Sequence, residues 1–548
     1  MNNNTNNFEP DVIVIGGGPG GAPVAWRLAS KGVKVVMLEA GGYYNPYKDY
    51  DLHSDEWHSS RFPEKKKLEY DFGNSQPLNN KYSHLKSWAK SYGNFNKTNK
   101  RRYVSYQSVA GLGGSALHFQ GEAHRLNPAA FNMKTSFGVA SDWPVSYESL
   151  EPYYTAVEKI VGVAGPDKLP GRFRSEPYPM PAHEISYSSK VIKESCDKLG
   201  YKLLPNPVAI LSRPYRNNAP CNYCCGCSWG CPRKDKGSPD VTFIPLATKT
   251  GNCRIIVNAF VSRIEVKKEN GVKASNGVHY FDDTGKEYFI KAKYIVIAGG
   301  AVQTPRLLIN SELNKNGLVG KNFMETTFFE LMALHPKRLD SYRGIPIDSV
   351  IWDWNDPSKN KDLSAGYRIY PTAGNALSPV HYANYFFQSS GKKLIEDMGK
   401  WFGHAIGIAG IGEFQPNKDT FVTVSDKKDR FGLPIAKIQS FNSETELKIL
   451  DSMYNKAKQI LEASGAKEFV EQYSTYDLFS ASHVFGTCKM GKNPEDSVVN
   501  QNLESHEVKN MYVTDASVFP SSGGGEAPSL TIQALSLRAA DAMLKKTV

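Results

Sequence analysis

Five of the eight cysteines lie within residues 221–231, in the sequence CNYCCGCSWGC. Closely spaced thiolates are the usual ligands of iron–sulfur clusters, and Pro232 follows the last cysteine, as it does in many cluster loops. Adjacent cysteines have poor geometry for disulfide bridges, and a zinc site usually takes cysteine pairs that are about a dozen residues apart. The spacing therefore predicts an iron–sulfur cluster over the alternatives of disulfides, a zinc site or free thiols.

A glycine-rich turn near the start of the chain has the spacing of a dinucleotide-binding site. In DVIVIGGGPGG (11–21), an apolar strand runs into Gly16, Gly18 and Gly21, and a helix is predicted to follow. The glycines let the backbone approach a pyrophosphate at the helix N-terminus. Glu39 ends the next predicted strand, where a carboxylate can accept hydrogen bonds from ribose hydroxyls. The pattern predicts a dinucleotide site but does not separate NAD from FAD.

Taken with this turn, five further motifs resemble those of the glucose–methanol–choline (GMC) oxidoreductase family. They are SVAGLGGSALHFQGEAHR (108–125), DWPVSYESLEPYY (142–154), YIVIAGGAVQTPRLLINS (294–311), VGKNFME (319–325) and HVFGTCKMG (483–491). The resemblance implies FAD as the cofactor. It also implies an α/β fold, in which a Rossmann-like FAD-binding domain carries a smaller substrate domain of antiparallel sheet and helices.

The resemblance also implies which residues act on the substrate. His483 in HVFGT matches the HxxGT motif whose histidine is the family's catalytic base. Such a base takes the hydroxyl proton while hydride passes to the flavin. The family's second catalytic residue, a His or Asn before a proline, is replaced by Ala527 in GGGEAPSLT. Glu526 is the candidate to compensate, and its alternative role is a helix N-terminal acid stabilised by the helix dipole.

Other residues correspond to flavin contacts of the family. Gly113 and Gly114 form the paired glycines of the second motif, the backbone of Val261 would touch the adenine, and Asp515 would lie near the FAD. His118 follows the glycine pair at the spacing where some members bond the flavin covalently, so a covalent link is favoured over a non-covalent contact.

One branch of the family contains the large flavin subunits of gluconate 2-dehydrogenase, fructose dehydrogenase and bacterial FAD-glucose dehydrogenase. These carry a three-iron cluster with ligands spaced C-x5-C-x3-C, which Cys221, Cys227 and Cys231 reproduce. Cys224 and Cys225 are additional, so a four-iron cluster with Cys224 as a ligand is the alternative to the favoured three-iron cluster. Long-chain alcohol oxidases have a cysteine-containing segment at a similar position, so an oxidase function is an alternative to a dehydrogenase.

The branch predicts oxidation of D-gluconate to 2-dehydro-D-gluconate, with electrons leaving through the cluster to a cytochrome c subunit. Fructose, glucose, a polyol or a long-chain alcohol are alternative substrates, and a flavin and iron–sulfur electron-transfer module without its own substrate is an alternative function. Related large subunits are exported with a small subunit that carries a twin-arginine signal. The expected location is therefore the periplasmic face of the inner membrane, held there through partner subunits, with the cytoplasm as the alternative.

Composition excludes other classes of function. The 548 residues carry a formal net charge of +11, but the basic residues are scattered and the one short run, Lys65–Lys67, predicts a solvated surface and no nucleic-acid partner. No apolar run approaches the roughly 18 residues that span a bilayer, and MNNNTNNFEP lacks the regions of a signal peptide. Membrane contact is therefore expected only through partners.

The family architecture implies how the chain positions these residues. A discontinuous FAD-binding domain, 1–330 and 478–548, would contain the cysteine-rich loop, and 331–477 would form the substrate-binding domain. Within 331–477, GYRIYPT, ANYFFQ and DTFVTVS predict short strands. Residues 443–464 begin with a Ser N-cap signature and predict an amphipathic helix.

Overall fold

The computed structural model of the protein describes residues 8–50, 68–269, 271–360, 362–373 and 378–547. The Lys65–Lys67 run and the first seven residues of the Asn-rich leader lie outside the described residues.

Strands and helices are numbered separately along the chain. The strands are β1 Val12–Ile15, β2 Val35–Glu39, β3 Tyr70–Phe72, β4 Trp88–Ala89, β5 Gly93–Asn94, β6 Arg102–Tyr106, β7 Ala164–Gly165, β8 Met180–Pro181, β9 Leu203–Pro205, β10 Cys253–Val257, β11 Phe260–Glu269, β12 Val272–Phe281, β13 Glu287–Lys291, β14 Tyr294–Ile297, β15 Thr327–Leu334, β16 Ser349–Ile351, β17 Tyr367–Thr372, β18 Ala405–Gly412, β19 Phe421–Lys428, β20 Pro434–Gln439, β21 Glu468–Ser474, β22 Leu478–Ala481 and β23 Met511–Val513. The α-helices are α1 Gly21–Ala29, α2 Pro46–Asp49, α3 Met133–Phe137, α4 Tyr147–Val161, α5 Tyr187–Leu199, α6 Phe243–Lys249, α7 Gly300–Asn310, α8 Pro379–His381, α9 Gly391–Trp401, α10 Glu444–Ser464 and α11 Ser529–Thr547.

A parallel sheet gathers segments from both ends of the chain. Its strand order is β10-β2-β1-β14-β23, and every neighbouring pair is parallel. The strands VIVI of β1 and YIVI of β14 are fully buried, as parallel strands covered on both faces must be. Helix α1 packs against α6 and α11, and α11 packs in turn against α4. The predicted α/β fold with a Rossmann-like sheet is confirmed.

A second sheet is antiparallel between every pair of neighbouring strands, and it carries its own core. Its order is β5-β4-β21-β15-β18-β17-β16-β9. Helices α10 and α5 cover one face, and the buried apolar residues between them form a core separate from that of the parallel sheet. The sheet draws on β4, β5, β9 and the start of β15 as well as on residues 331–477, and the domain boundaries stay a prediction.

The local sequence pattern correctly predicts the helix over 443–464, but it wrongly predicts a strand for ANYFFQ. Ser443 caps α10 in a capping box with Glu446, whose side chain accepts from the Ser443 backbone amide. The strand predicted for ANYFFQ is wrong, because Ser378 caps a short helix there and a π-helix continues it over Tyr382–Phe386. A polar cap followed by Pro379 nucleates helix, and this outweighs the β-propensity of the aromatic residues.

No helix within the described residues is long and apolar enough to cross a bilayer.

Candidate functional site

A cavity of about 1120 Å³ opens at the carboxyl ends of the parallel strands and extends to the antiparallel sheet. Ligands bind at this edge of parallel sheets. The cavity wall includes many of the residues that sequence analysis singled out, namely Gly16, Gly18, Glu39, Gly114, His118, Val261, His483 and Asp515. Segments that are up to about five hundred residues apart in the chain therefore meet around one space.

At the end of the cavity next to the parallel sheet, the backbone packs so closely around the glycines that no side chain would fit at their positions. Gly16 has a φ of +99°, and a Cβ there would lie 2.5 Å from the oxygen of Ala298. A Cβ on Gly21, at the start of α1, would lie 2.0 Å from the Gly16 oxygen. Gly114 approaches Gly18 so closely that a Cβ would lie 2.8 Å from its Cα. The backbone is thus exposed to the cavity beside a helix N-terminus, as a pyrophosphate requires.

Two buried carboxylates hold the loops around this end. Glu39 accepts hydrogen bonds from the amides of Gly17 and Gly41, both at 2.9 Å, and burial raises its pKa. Asp515 accepts from the amides of Gly300 and Ser517, both at 2.8 Å, and burial raises its pKa as well. We call the exposed backbone at Gly16, Gly18, Gly21 and Gly114 the glycine cradle. This cradle, the helix N-terminus beside it and a cavity larger than that of a drug-sized ligand fit a dinucleotide such as FAD. Gly113, whose amide bonds the Gly17 oxygen at 3.1 Å, supports the cradle from behind.

His483 lies on the cavity wall just after β22 and is half-buried. Burial is the main cause that lowers its pKa to about 4, and smaller effects come from Glu122, which raises the pKa, and Arg368, which lowers it. The imidazole is therefore neutral near pH 7 and is able to accept a proton from a hydroxyl group.

A buried ion pair that sequence analysis missed lies close to His483. Arg368 on β17 is fully buried and donates to both oxygens of Glu122 at 2.7 Å, and Glu122 lines the cavity. Arg368 also donates to the oxygen of Gly525 at 2.5 Å, which fixes the loop that precedes α11. The sequence held no signal for the pair, because its partners are separated by 246 residues.

The structure places Ala527 on the cavity wall and His124 behind it. The Ala527 amide donates to Nδ1 of His124 at 3.0 Å, and Nε2 of His124 faces Asn206 Oδ1 at 2.8 Å. Burial lowers the pKa of His124 to about 4. His124 is thus a neutral histidine, and it supports the loop through the backbone of Ala527.

Glu526 points away from the cavity. It is fully buried, and its Oε1 accepts from the Arg172 guanidinium at 2.6 Å, the Asn127 amide at 3.0 Å and the Asn355 side chain at 2.9 Å. These hydrogen bonds anchor the loop before α11. A catalytic role for Glu526 stays a prediction.

The cysteine-rich loop borders the same cavity through Cys225, Ser228 and Trp229. All eight cysteines are free; Cys225 and Cys227 are buried and Cys224 is exposed. Burial raises the pKa of Cys227; Cys221, Cys231 and Cys225 add to this effect, and Lys236 opposes it.

Two contacts join this loop to the turn that carries His118. Nδ1 of His118 lies 2.7 Å from the oxygen of Ser228. The buried amine of Lys236 donates to the oxygens of Leu117 at 2.9 Å, Phe119 at 3.1 Å and Cys227 at 2.6 Å. Sequence analysis missed Lys236, because nothing in its neighbours marks it as buried.

Among the described residues, no group of three or more His, Cys, Asp or Glu side chains is arranged to hold a metal ion. Burial raises the pKa of Cys221 to about 12 and that of Cys231 to about 11, so both thiols carry their protons near pH 7. The ligand set Cys221, Cys224, Cys227 and Cys231 stays a prediction.

Comparison with known proteins relates this site to one family. Two models described as GMC oxidoreductase match residues 126–327 and 416–536. The fructose dehydrogenase large subunit of Gluconobacter japonicus is 28% identical, with 99% of each chain covered. The gluconate 2-dehydrogenase flavoprotein of Pantoea cypripedii is 25% identical, with 97% of this chain and 93% of the relative covered. Formate oxidase of Aspergillus oryzae has the same fold, with a TM-score of 0.65, 14% identity and 98% of each chain covered.

Proposed function

The chain belongs to the GMC oxidoreductase family of FAD-dependent enzymes that act on alcohol or sugar donors, and we propose that it oxidises a CH–OH group of a neutral sugar or polyol. The observation that carries the proposal is the cavity whose wall contains both the glycine turn and His483. FAD, when bound, accepts the hydride, and the CH–OH group becomes a carbonyl.

The residues of this chain move the proton and hold the donor. His483 takes the hydroxyl proton, because burial keeps its imidazole neutral. Glu122 and Arg368 neutralise each other beside it, so no uncompensated charge from this pair opposes the imidazolium that forms. Ala527 offers no side-chain hydrogen bond where the family motif would place a His or Asn, so His483 acts without that second group.

A neutral donor is favoured over D-gluconate by the charges of the cavity. The one Arg or Lys among its described lining residues is Arg306, which is already paired with Asp429 at 2.6 Å. A sugar carboxylate would therefore be buried without a cation, which is costly. Oxidation of D-gluconate to 2-dehydro-D-gluconate remains the second candidate, because the flavoprotein of a gluconate 2-dehydrogenase is a full-length relative.

We propose further that electrons leave through an iron–sulfur cluster held by Cys221, Cys227 and Cys231, with Cys224 as a fourth ligand in the alternative. Support comes from the C-x5-C-x3-C spacing and from the position of the loop on the cavity wall. A bound cluster would supply one-electron transfer, which suits a cytochrome c acceptor. We also propose, from the family resemblance alone, that a small exported subunit accompanies the chain to the periplasmic face of the membrane. The large-subunit relative is consistent with partner subunits.

The first experiment measures FAD, iron and acid-labile sulfide on protein purified without oxygen, and then flavin bleaching by single donors. D-fructose, D-glucose and sorbitol are compared with D-gluconate and a long-chain alcohol. Bleaching by a neutral donor supports the proposal, and bleaching by gluconate alone replaces it with the second candidate. Peroxide formation without an added acceptor would identify an oxidase, and FAD without iron would remove the cluster.

A further inference from the structure

One carboxyl group in the cavity wall belongs neither to the predicted flavin contacts nor to the proposed base. Glu330 lies in the middle of β15, in the otherwise apolar strand TFFELMAL, and lines the cavity. Strand register places it opposite Ala409 of β18 and Tyr473 of β21. An acidic residue in the centre of a buried strand requires a reason, because carboxylates are rarely left in such places without a partner.

The neighbours of Glu330 form a face suited to hydroxyl groups. Ala409 is in register with Tyr370 of β17, so Glu330 and Tyr370 lie in one row across the sheet with only a methyl group between them. Both line the cavity, as does Thr372, which is two residues further along β17. A carboxyl, a phenol and an alcohol on one face can donate and accept hydrogen bonds at several positions of a polyol.

The charged groups around Glu330 favour its neutral form. Burial, and secondarily Glu471, raise the pKa of Glu330 to about 8, and a hydrogen bond with the Thr372 side chain offsets part of this rise. Glu471 is itself an acid, and its Oε2 lies 2.5 Å from Nε2 of His381. The titratable and charged groups that face Glu330 from the surrounding elements are Glu471 and Tyr473 on β21, His381 on α8, Tyr370 and Arg368 on β17, Glu122 beside Arg368, and His483 on the FAD-domain side of the cavity.

We propose that Glu330 binds the substrate, through a hydrogen bond from its carboxyl group to a hydroxyl on a carbon other than the one oxidised. It thereby selects polyhydroxylated neutral donors over simple alcohols and over sugar acids. The inference rests on the proposed function and deepens it by naming a residue that determines substrate specificity. A sugar carboxylate at this position would meet an acidic residue and no free cation, whereas a simple alcohol has no second hydroxyl to offer the carboxyl group.

The test compares Glu330→Met, Glu330→Gln and the control Met332→Leu in the FAD-loaded enzyme. Met332 is the next residue on the same face of β15, is buried and is absent from the cavity wall, so its variant reports on packing alone. Initial rates with the best neutral polyol and with a simple alcohol give kcat and KM for each protein. E330M is expected to lower kcat/KM for the polyol about 10- to 100-fold, mainly through KM, because one buried polar contact is lost. The simple alcohol should change by less than about threefold.

Glutamine keeps the shape and a donor group without the charge. E330Q is therefore expected to restore polyol kcat/KM to within about fivefold of wild type. In wild type the polyol KM should rise as the pH passes upward through about 8, because Glu330 ionises. E330Q should lack this rise.

Two results would overturn the inference. The first is a loss of kcat/KM in E330M that is equal for the polyol and the simple alcohol and no larger than the loss in M332L. This result would indicate a structural role. The other is a loss in E330Q as large as in E330M, which would mean that Glu330 acts as an anion. Wild-type protein whose flavin is bleached by no sugar or polyol would overturn the proposed function itself, and that result is seen before any variant is made.

Discussion

Arg368→Met is predicted to destabilise the protein strongly through Glu122. The guanidinium is fully buried and donates to both carboxylate oxygens of Glu122 at 2.7 Å. Removal of one partner of a buried pair leaves an uncompensated charge and costs about 3–5 kcal/mol. The bond from Arg368 to the oxygen of Gly525 is lost at the same time, which loosens the loop before α11.

The pKa of Glu122 gives an independent magnitude. Burial by itself raises this pKa, but Arg368, His124 and Asn206 outweigh it and lower the pKa from 4.5 to about 2. A depression of this size corresponds to about 3 kcal/mol of stability. Since the folded state has the lower pKa, this stability is present above about pH 4.5 and is lost as the pH falls towards about 2. In R368M the pKa of Glu122 should rise, and this part of the acid dependence should disappear.

Urea unfolding of the FAD-loaded protein near pH 7 and near pH 3 measures both effects. R368M should lose about 3 kcal/mol of unfolding free energy near pH 7, and the double variant R368M/E122Q should regain at least about 1 kcal/mol, because its buried carboxylate is gone. Arg338→Met is the control, since Arg338 forms an exposed pair with Asp340 and its loss should leave the unfolding free energy unchanged. A loss below about 1 kcal/mol in R368M, or a double variant no more stable than R368M, would refute the reasoning.

Three further predictions concern the base, the cradle and the cysteine-rich loop. His483→Ala should keep FAD bound but slow flavin reduction about 10²- to 10⁴-fold, measured by anaerobic stopped flow, because the proton acceptor is removed. Gly21→Ala should yield protein without FAD, read from its absorbance, because the new Cβ would lie 2.0 Å from the Gly16 oxygen. Lys236→Met should lower the unfolding free energy by at least about 2 kcal/mol in urea, because three buried carbonyls lose their donor.

Matched variants separate these effects from general damage. His84→Ala removes an exposed histidine that is absent from the cavity wall and should leave flavin reduction unchanged; equal slowing in both variants would argue against His483 as the base. Gly399→Ala, where a Cβ meets nothing within 4 Å, should retain FAD. The side chain of Lys234 lies over the exposed Tyr47 ring, so Lys234→Met should leave stability unchanged; a similar result for Lys236→Met would contradict its anchoring role.

The elements with strong local patterns could be predicted from the sequence. The parallel strands β1, β2 and β14 are continuous apolar runs, and α10 begins at the Ser443 cap, so hydrophobic periodicity and capping define them without tertiary contacts. The ANYFFQ segment was misread, because β-propensity and a helix cap compete there and the cap prevails.

The sequence by itself determined which residue types the chain offers for chemistry: the glycine spacing, the HVFGT histidine and the clustered cysteines are local patterns that a single segment of sequence displays. Only the tertiary structure decided which side chains share the cavity. Glu122 meets Arg368, Glu330 lies in a row with Tyr370, and Lys236 reaches the carbonyls behind His118. Such contacts join residues far apart in the chain, and their burial and charge arise from how the two sheets pack together, so no single segment of sequence contains them.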